Sequence, residues 1–318
     1  MTRAEFLRRE YEGRVNRAID FVYANLSRDF ALDEMADAAA FSRFHFHRVF
    51  HALTGETLAG FVRRVRLARA ADLLRSAPAL DVTAVALECG FSGPSVFSRA
   101  FRERFGCPPS EWRSGDFPAP RSARDDSKEG QADGTGGDAP GPGKHYLGDI
   151  ERSLRREPMT KLKYEVEVKE LSELTVAYAR HVGPYNEVGE AFGRLGRWAG
   201  PRGLFRPGAL SLAVYHDSPE TTEAAKLRSS ACLSVPPGTP VDGDIGLMSI
   251  PGGKFAVGHF EIAANQFGEA WDALMGEWLP SSGWQPDDRP CYEVYLNDHE
   301  KHPEKHFIID ICQPVKPL

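Results

Sequence analysis

Residues 90–112 carry side chains that could contact nucleic acid. Ser95, Ser98, Arg99 and Arg102 recur at helical spacing, so they lie on one face of a predicted helix. Hydroxyl and guanidinium groups donate hydrogen bonds to phosphate oxygens and to base edges, and arginine can pair with guanine through two bonds. A solvated helix face fits any single one of these residues equally well.

A second group of side chains with possible chemistry is Glu293 and Tyr295. On a strand over residues 291–295, Glu293 and Tyr295 point to the same side, because side chains alternate along a strand. A carboxylate among aromatic faces can hold an organic cation. Alternatively, Glu293 pairs with a neighbouring basic residue and the aromatic side chains belong to the core.

The helix that carries the first group also has a core side, formed by phenylalanines that recur every four residues: Phe97, Phe101 and Phe105. Gly93 is available as its N-cap, Pro94 suits its first position and Gly106 can end it. Upstream, VTAVALEC predicts a short helix that ends at Gly90. A short helix, a glycine turn and a second helix are typical of a helix-turn-helix unit.

The same pattern occurs twice, because residues 32–55 match residues 82–106 at offsets of 50 and 51. A first reading helix is expected from Ser42, as N-cap, to Leu53. A helix over residues 60–74 joins the two units, and an opening helix is expected over residues 3–26. The side chains of the first reading helix that are expected to face outward or to lie on its flank are Arg43, Phe44, His47, Arg48 and His51.

The motif GFS…F..F...FG..P..WR and its upstream copy resemble the DNA-binding domain of AraC/XylS-type transcription regulators, from about residue 11 to residue 113. The resemblance implies an all-α domain whose two reading helices enter successive major grooves of double-stranded DNA. It assigns DNA contact to the outward residues Arg43, Phe44, His47, Arg48, Ser95, Ser98, Arg99 and Arg102. Arg48 and Arg99 hold matching positions, and either could serve structural pairing instead.

Metal, cofactor and disulfide chemistry is not expected. His45, His47 and His51 are close in sequence, but further carboxylate or cysteine ligands are missing nearby. The five cysteines form no C-x-x-C motif and are expected to be reduced. Gly-x-Ser-x-Gly and phosphate-binding glycine loops are also absent, so no catalytic residue is assigned.

Composition predicts separate parts. Residues 1–113 contain 17 Arg, no Lys and 14 acidic residues, a charge of +3 against -9 for the remainder. Residues 114–160 are rich in Gly, Pro, Asp and Ser, which predicts a flexible linker with a short helix near its end. We therefore expect a DNA-binding domain at 1–113 and a second domain at 161–318. The chain has no run of about 18 apolar residues and no apolar N-terminal segment, so a cytoplasmic protein without a membrane partner is expected.

The second domain is predicted to be α+β. Alternation over residues 164–169 favours a strand, and further strands are expected near residues 211, 230, 292 and 308, with a hairpin-like pair around residues 251–253. GEAF..L at 189–195 matches GEAW..L at 268–274 at an offset of 79. Two pseudo-symmetric strand-helix-strand-strand repeats would leave a groove between them, where ligands often bind.

The motifs HVGPY, VYHD, IPGGKFAV, EAW...L..WLP.SG and RPCYEVYLN resemble the gyrase-inhibitor-like effector-binding domain, over residues 161–317. The resemblance implies an acid at Glu293, at the bottom of an aromatic-lined pocket for an amphipathic or cationic molecule. Its expected walls are Tyr185, Tyr215, Trp271 and Tyr295.

The sequence therefore predicts a ligand-responsive transcription regulator. Double-stranded DNA and a small effector are its expected partners, and RNA polymerase is a further partner that this class of protein allows. The alternative is a small-molecule hydrolase attached to DNA-binding helices, with Glu293 as general base. Some stand-alone members of the resembled effector-binding family act in that way.

Overall fold

The computed structural model describes residues 1–115, 160–217 and 222–318 of the 318-residue chain. The regular structure of its first range is entirely helical, as predicted. Its helices are α1 (Arg3–Ala24), α2 (Leu32–Ala38), α3 (Phe46–Thr54), α4 (Leu58–Ser76), α5 (Val82–Glu88), α6 (Pro94–Phe105) and α7 (Pro109–Ser114). Residues 116–159, on which the predicted linker and its short helix fall, lie outside the described residues.

The second helix-turn-helix unit has the predicted helix ends. Gly93 is the N-cap of α6, Pro94 is at its start and Gly106 ends it in the left-handed conformation, at φ 78°. Phe97 and Phe101 are fully buried. They belong to a core with α4, α5 and α7, because an amphipathic helix gains most of its stability by burying its apolar face.

The first unit differs from its prediction at the start of the reading helix. α3 begins at Phe46, and the backbone N–H groups of His45 and Phe46 donate to the carbonyl of Ser42 at 3.2 and 2.9 Å. The predicted Ser42 N-cap is therefore wrong. The hydroxyl of Ser42 is buried without a hydrogen-bond partner, and the chain makes an extra turn through residues 43–45 before the helix starts.

The α+β region follows the predicted order of elements. Its strands are β1 (Tyr164–Leu171), β2 (Leu174–Val182), β3 (Ser211–Tyr215), β4 (Arg228–Ser234), β5 (Ile245–Ile250), β6 (Gly253–Ile262), β7 (Trp284–Pro286), β8 (Tyr292–Tyr295) and β9 (Phe307–Pro317). Its helices are α8 (Gly189–Ala199), α9 (Phe267–Asp272) and α10 (Leu279–Ser282). A π-helical stretch, Ala273–Trp278, connects α9 to α10.

The strands form an antiparallel sheet in the order β1-β6-β9-β8-β3-β4-β2-β5, and β7 pairs with β9. The predicted hairpin at residues 251–253 is wrong, because β5 pairs with β2 whereas β6 pairs with β1 and β9. The connection between them instead passes close to the β1–β2 connection. A Cβ atom on Gly252 would lie 2.6 Å from the carbonyl oxygen of Leu171, so a side chain does not fit there.

The two predicted repeats are present as β2-α8-β3-β4 and β6-α9-β8-β9. β3 and β8 pair at the centre of the sheet, so each repeat forms one half of it. An additional strand precedes each repeat, and these strands are exchanged: β1 pairs with β6 of the second repeat and β5 pairs with β2 of the first. The sequence repeat therefore corresponds to two interlocked halves.

The described chain divides into two compact units. One unit contains residues 1–18 and 36–58 together with the α+β region, and the other contains residues 19–35 and the helices from residue 59 onward. α3 therefore belongs to the same unit as the sheet. Among the described helices, none combines the length and the apolar character needed to cross a membrane.

The turn of the second helix-turn-helix unit depends on Gly90. Its φ angle is 73°, and a Cβ atom there would lie 2.3 Å from the carbonyl oxygen of Leu26. Arg66 closes the turn by donating to the carbonyls of Gly90 and Arg28, at 2.8 Å each. The turn therefore needs both a left-handed conformation and the absence of a side chain.

We expect Gly90→Ala to destabilise the chain by more than about 2 kcal/mol, from the left-handed strain together with the steric overlap. Thermal melting followed by circular dichroism measures the change. Gly13→Ala is the matched control: Gly13 lies within α1 with no atom close to its Cβ position, and alanine there should raise stability by up to about 1 kcal/mol. Equal melting temperatures for the two variants would contradict the conclusion that the turn at Gly90 excludes a side chain.

Candidate functional site

Glu293 lies on β8, directly opposite Ala213 of β3, where the two halves of the sheet meet. Its side chain is 2% exposed. Residues 211, 213 and 215 of β3 share its face because paired strands alternate together. Ala213 carries only a methyl group, so space remains over the carboxylate for neighbouring side chains.

Three side chains donate hydrogen bonds to this carboxylate. The hydroxyl of Tyr215 donates to Oε2 at 2.6 Å, and that of Tyr295 donates to the same oxygen at 3.1 Å. The indole nitrogen of Trp271 donates to Oε1 at 2.7 Å. Both carboxylate oxygens are therefore bound, which agrees with the general need of buried polar groups for partners.

Burial and hydrogen bonding act in opposite directions on Glu293. Desolvation raises its pKa above the ordinary value of 4.5, whereas the bonds from Tyr215 and Trp271 and the charge of Arg48 lower it, and the net direction is upward. Burial and the nearby carboxylate also raise the pKa of Tyr215 and of Tyr295. Both phenols therefore remain neutral donors at physiological pH.

Aromatic rings surround the carboxylate. Tyr185 packs on Tyr215 with ring centroids 4.7 Å apart, and Phe192 of α8 meets the edge of Tyr295 at 5.4 Å. On the other side Phe267 and Phe307 lie 6.5 and 6.2 Å from the Tyr295 ring. The rings enclose a cavity of about 790 Å³, within the usual range for small-molecule sites.

All five predicted ligand-binding residues line this one cavity: Glu293, Tyr295, Tyr185, Tyr215 and Trp271. One part of the predicted alternative, a basic residue near Glu293, is present, because the charge of Arg48 acts on the carboxylate. The aromatic rings face a cavity, and aromatic donors hold the carboxylate.

The wall of the cavity includes α3, the first predicted reading helix. His47, Arg48 and His51 all line it. The guanidinium carbon of Arg48 lies 3.7 Å from the centroid of the Trp271 ring, a close cation–π contact. His51 Nδ1 lies 3.3 Å from an Asp272 carboxylate oxygen.

The first set of predicted DNA-contact residues is only partly outward. Arg43 and Phe44 are exposed and precede α3, and Arg43 forms a salt bridge with Asp37. His47, predicted to face outward or to lie on the flank of the helix, is 7% exposed and is therefore buried, while Arg48 points into the cavity. The outward placement of His47 and Arg48 is wrong for this structure, because α3 packs against the α+β region.

The second set has the predicted orientation. Ser95, Arg99 and Arg102 of α6 are exposed, and Ser98 is half-buried at the edge of their face. The side chain of Arg99 is 85% exposed, and its Nε donates to Glu103 at 3.0 Å. A guanidinium held by one exposed carboxylate can exchange that partner for a phosphate or a base at little cost.

The three N-terminal histidines do not converge on one point. His45 Nε2 donates to the carbonyl of Arg289 at 3.1 Å, and burial lowers the pKa of His45 to about 4. Burial also lowers the pKa of His47. Within the described residues, metal-capable side chains do come together elsewhere, at Glu261, His302 and His306. There His302 Nδ1 accepts from two backbone N–H groups, so Nε2 carries the proton and faces Glu261 as a donor.

The sequence reasoning missed several side chains of the cavity, chiefly Phe192, Phe267, Phe307 and His51. The internal repeat contained a signal for Phe192, because the offset of 79 that aligns the two GEA motifs places Phe192 at the position of Trp271. No comparable signal existed for His51. Its part in the cavity depends on a contact between segments that are more than 200 residues apart.

Comparison with known proteins finds a matching family for each half of the chain. A family model described as the GyrI-like small molecule binding domain matches residues 164–316, and one described as a helix-turn-helix domain matches residues 35–115. A DNA gyrase inhibitor from Yersinia enterocolitica is 37% identical over 144 residues, which are 43% of this chain and 88% of that protein. DNA gyrase inhibitor 2 from Dickeya dadantii is 33% identical, over 43% and 87% respectively.

Among solved structures, the EcmrR–DNA complex determined by cryo-electron microscopy superposes with a TM-score of 0.43 at 20% identity. The superposition covers 55% of this chain and 63% of the EcmrR chain.

Stability should depend on pH through Glu293. Its pKa is higher in the folded chain than in the unfolded chain, so folding retains a proton and stability falls as pH rises from about 4.5 through the raised pKa. Glu293→Gln removes this pH-dependent contribution to the stability of the folded chain. Its melting temperature relative to the parent should therefore rise over that interval, measured by calorimetry at several pH values. A constant difference for Glu293→Gln would contradict the assignment.

Proposed function

The chain belongs to the GyrI-like small-molecule-binding family through residues 164–316 and carries an AraC-type helix-turn-helix domain, and from this premise we propose that it is a transcription regulator that responds to an organic cation. The observation that carries the proposal is the buried carboxylate of Glu293 within an aromatic cavity. DNA and a small molecule are its partners in this proposal, and a cytoplasmic location is part of it.

The chemistry of the cavity supports a cationic, partly aromatic ligand. A buried carboxylate is costly unless a positive charge and hydrogen bonds compensate it. Tyr215, Trp271 and Tyr295 supply the hydrogen bonds, and a bound cation would supply the charge. The ring faces of Tyr185 and Phe192 would add apolar and cation–π contacts.

The proposed roles of the two predicted DNA-contact sets follow from their surroundings. The α6 set is exposed and carries two arginines, Arg99 and Arg102, so it can contact a major groove as the structure stands. The α3 set contributes Arg43 and Phe44 in the same way, whereas His47 and Arg48 line the cavity.

A hydrolytic role for Glu293 is the second candidate, because burial raises its pKa toward the range in which a carboxylate acts as general base. The present geometry favours binding, since both oxygens already accept hydrogen bonds from donors that a base would have to replace. Turnover of a bound ester or amide that is lost in Glu293→Gln would establish the hydrolase instead.

The main test uses two ligands of equal shape and different charge, (4-hydroxyphenyl)trimethylammonium and 4-tert-butylphenol. Glu293→Gln keeps the size of the side chain but removes the charge that compensates the cation. Affinity for the cation should fall about a hundredfold or more, and affinity for the neutral phenol should change far less. Calorimetric or NMR titration measures both. Equal losses for the two ligands would assign Glu293 to structure alone.

DNA binding is tested at Arg99. Arg99→Ala should weaken binding to a duplex selected from a random pool by about 1 to 3 kcal/mol if the guanidinium contacts a base or a phosphate. A phosphate contact would also lower the salt slope by about one unit. Fluorescence anisotropy at several salt concentrations measures both quantities. Arg206→Ala, an exposed arginine of the α+β region, is the charge-matched control. Unchanged affinity and slope for Arg99→Ala would limit Arg99 to its pairing with Glu103.

A further inference from the structure

We infer that Arg48 is an internal cation that occupies the ligand site, so that a cationic effector and Arg48 compete for Trp271 and Glu293. Entry of the effector would then release Arg48, with α3, for contact with DNA. The inference rests on the proposed function of the cavity and adds the way in which its occupancy is transmitted to the DNA-reading helix.

The guanidinium group of Arg48 lies on the wall of the ligand cavity. Arg48 lies 3.7 Å from the centroid of the Trp271 ring, and Trp271 itself donates to Glu293. The charge of Arg48 acts on Glu293 and on Tyr185, two walls of the cavity. A planar cation stacked on an aromatic face beside a buried carboxylate has the chemistry expected of the ligand itself.

The matching arginine of the second helix-turn-helix unit, Arg99, is arranged differently. Arg99 corresponds to Arg48 at the repeat offset of 51, yet its side chain is 85% exposed and pairs with Glu103 on its own helix. Both copies could present an arginine to DNA. In this structure Arg48 is instead directed toward the cavity of the α+β region.

Close packing also holds α3 in place. A Cβ atom on Gly276, in the π-helical stretch, would lie 2.8 Å from both the Cβ and the carbonyl oxygen of Ala52 on α3. The bond between His45 and the carbonyl of Arg289 and the contact between His51 and Asp272 support the same contact surface. α3 is therefore held by shape and by polar contacts as well as by Arg48.

Exchange of one cation for another gives a simple coupling. While Arg48 stays in the cavity, it compensates Glu293 and is withheld from DNA. A cationic ligand takes over the compensation, whereas a neutral ligand of the same shape would displace Arg48 and leave Glu293 uncompensated. Linkage is reciprocal, so the factor by which the ligand strengthens DNA binding equals the factor by which DNA strengthens ligand binding.

The ligand arm of the test measures affinity for (4-hydroxyphenyl)trimethylammonium in the full chain. Arg48→Met keeps a long, unbranched side chain but removes the competing charge. The cation should therefore bind about five- to thirtyfold more tightly. In the Glu293→Gln background the same substitution should give a smaller gain, because Arg48 then has less to compensate. Arg206→Met, at an exposed arginine of the α+β region, is the matched control for ligand affinity and should leave it unchanged.

The outcomes separate the two proposals. If Glu293→Gln weakens cation binding but Arg48→Met leaves it unchanged or weaker, the competition is overturned and the ligand site stands. If the cation binds without dependence on Glu293, the proposed ligand site fails and the competition fails with it.

The DNA arm uses a duplex that the parent chain selects from a random-sequence pool. Saturating cation should tighten DNA binding by the parent about fivefold or more, and 4-tert-butylphenol should do so much less. Gly276→Ala should tighten DNA binding without any ligand, because its methyl group displaces α3. Gly196→Ala, within α8 and with an open Cβ position, is the matched control. Melting curves and retained cation binding verify that the variants fold, and unchanged or weaker DNA binding with cation would overturn the inference.

Discussion

The carboxylate of Glu293 at the seam between β3 and β8 imposes the main constraint on the α+β region. At 2% exposure it has lost almost all contact with water, and an ionised carboxylate there needs hydrogen bonds and a nearby positive charge. The sheet brings Tyr215 and Tyr295 to it, and α9 brings Trp271. The guanidinium of Arg48, on a helix more than 200 residues away in sequence, lies over the Trp271 ring, and its charge lowers the pKa of Glu293 in part. The surroundings of one buried carboxylate therefore include a side chain of α3.

The internal repeat builds the cavity, and the differences between its copies give the cavity its chemistry. α8 and α9 begin with the same GEA motif and place Phe192 and Trp271 at equivalent positions beside the central strands. The indole of Trp271 donates a hydrogen bond to the carboxylate, whereas the phenyl ring of Phe192 cannot donate and packs against the edge of Tyr295. Across the central ladder, Glu293 faces Ala213, whose small side chain leaves the cavity open.

The two helix-turn-helix units show the same principle on the DNA-binding side. Their core residues match almost position by position, and Phe50 and Phe101 are both fully buried. Their outward faces have different surroundings. α6 presents Ser95, Arg99 and Arg102, whereas α3 approaches the π-helical stretch at Ala52, and its His47 and Arg48 line the cavity. A duplicated fold can therefore carry one exposed helix face and one that is covered in part by another region of the chain.

Local pattern was sufficient to predict most of the fold. The helical spacing of Phe97, Phe101 and Phe105, the glycines at 90 and 106, and the alternation at residues 164–169 reflect interactions within a few residues, so the sequence alone determined these elements. The resemblance placed all five ligand-binding residues in one cavity, and the repeat offset contained Phe192 as well. The predicted N-cap at Ser42 is wrong because the chain makes an extra turn through residues 43–45, so α3 begins at Phe46 and not directly after Ser42.

Only the tertiary structure decided the strand exchange and the direction of Arg48. β5 pairs with β2, and Gly252 passes close to Leu171, so both features join segments that are far apart in sequence. Arg48 and Arg99 hold the same position in matching motifs, and the sequence assigned both to DNA. They differ because Trp271 and Glu293 lie within reach of Arg48, and such a contact between distant segments depends on how the chain folds and not on the residues next to the arginine.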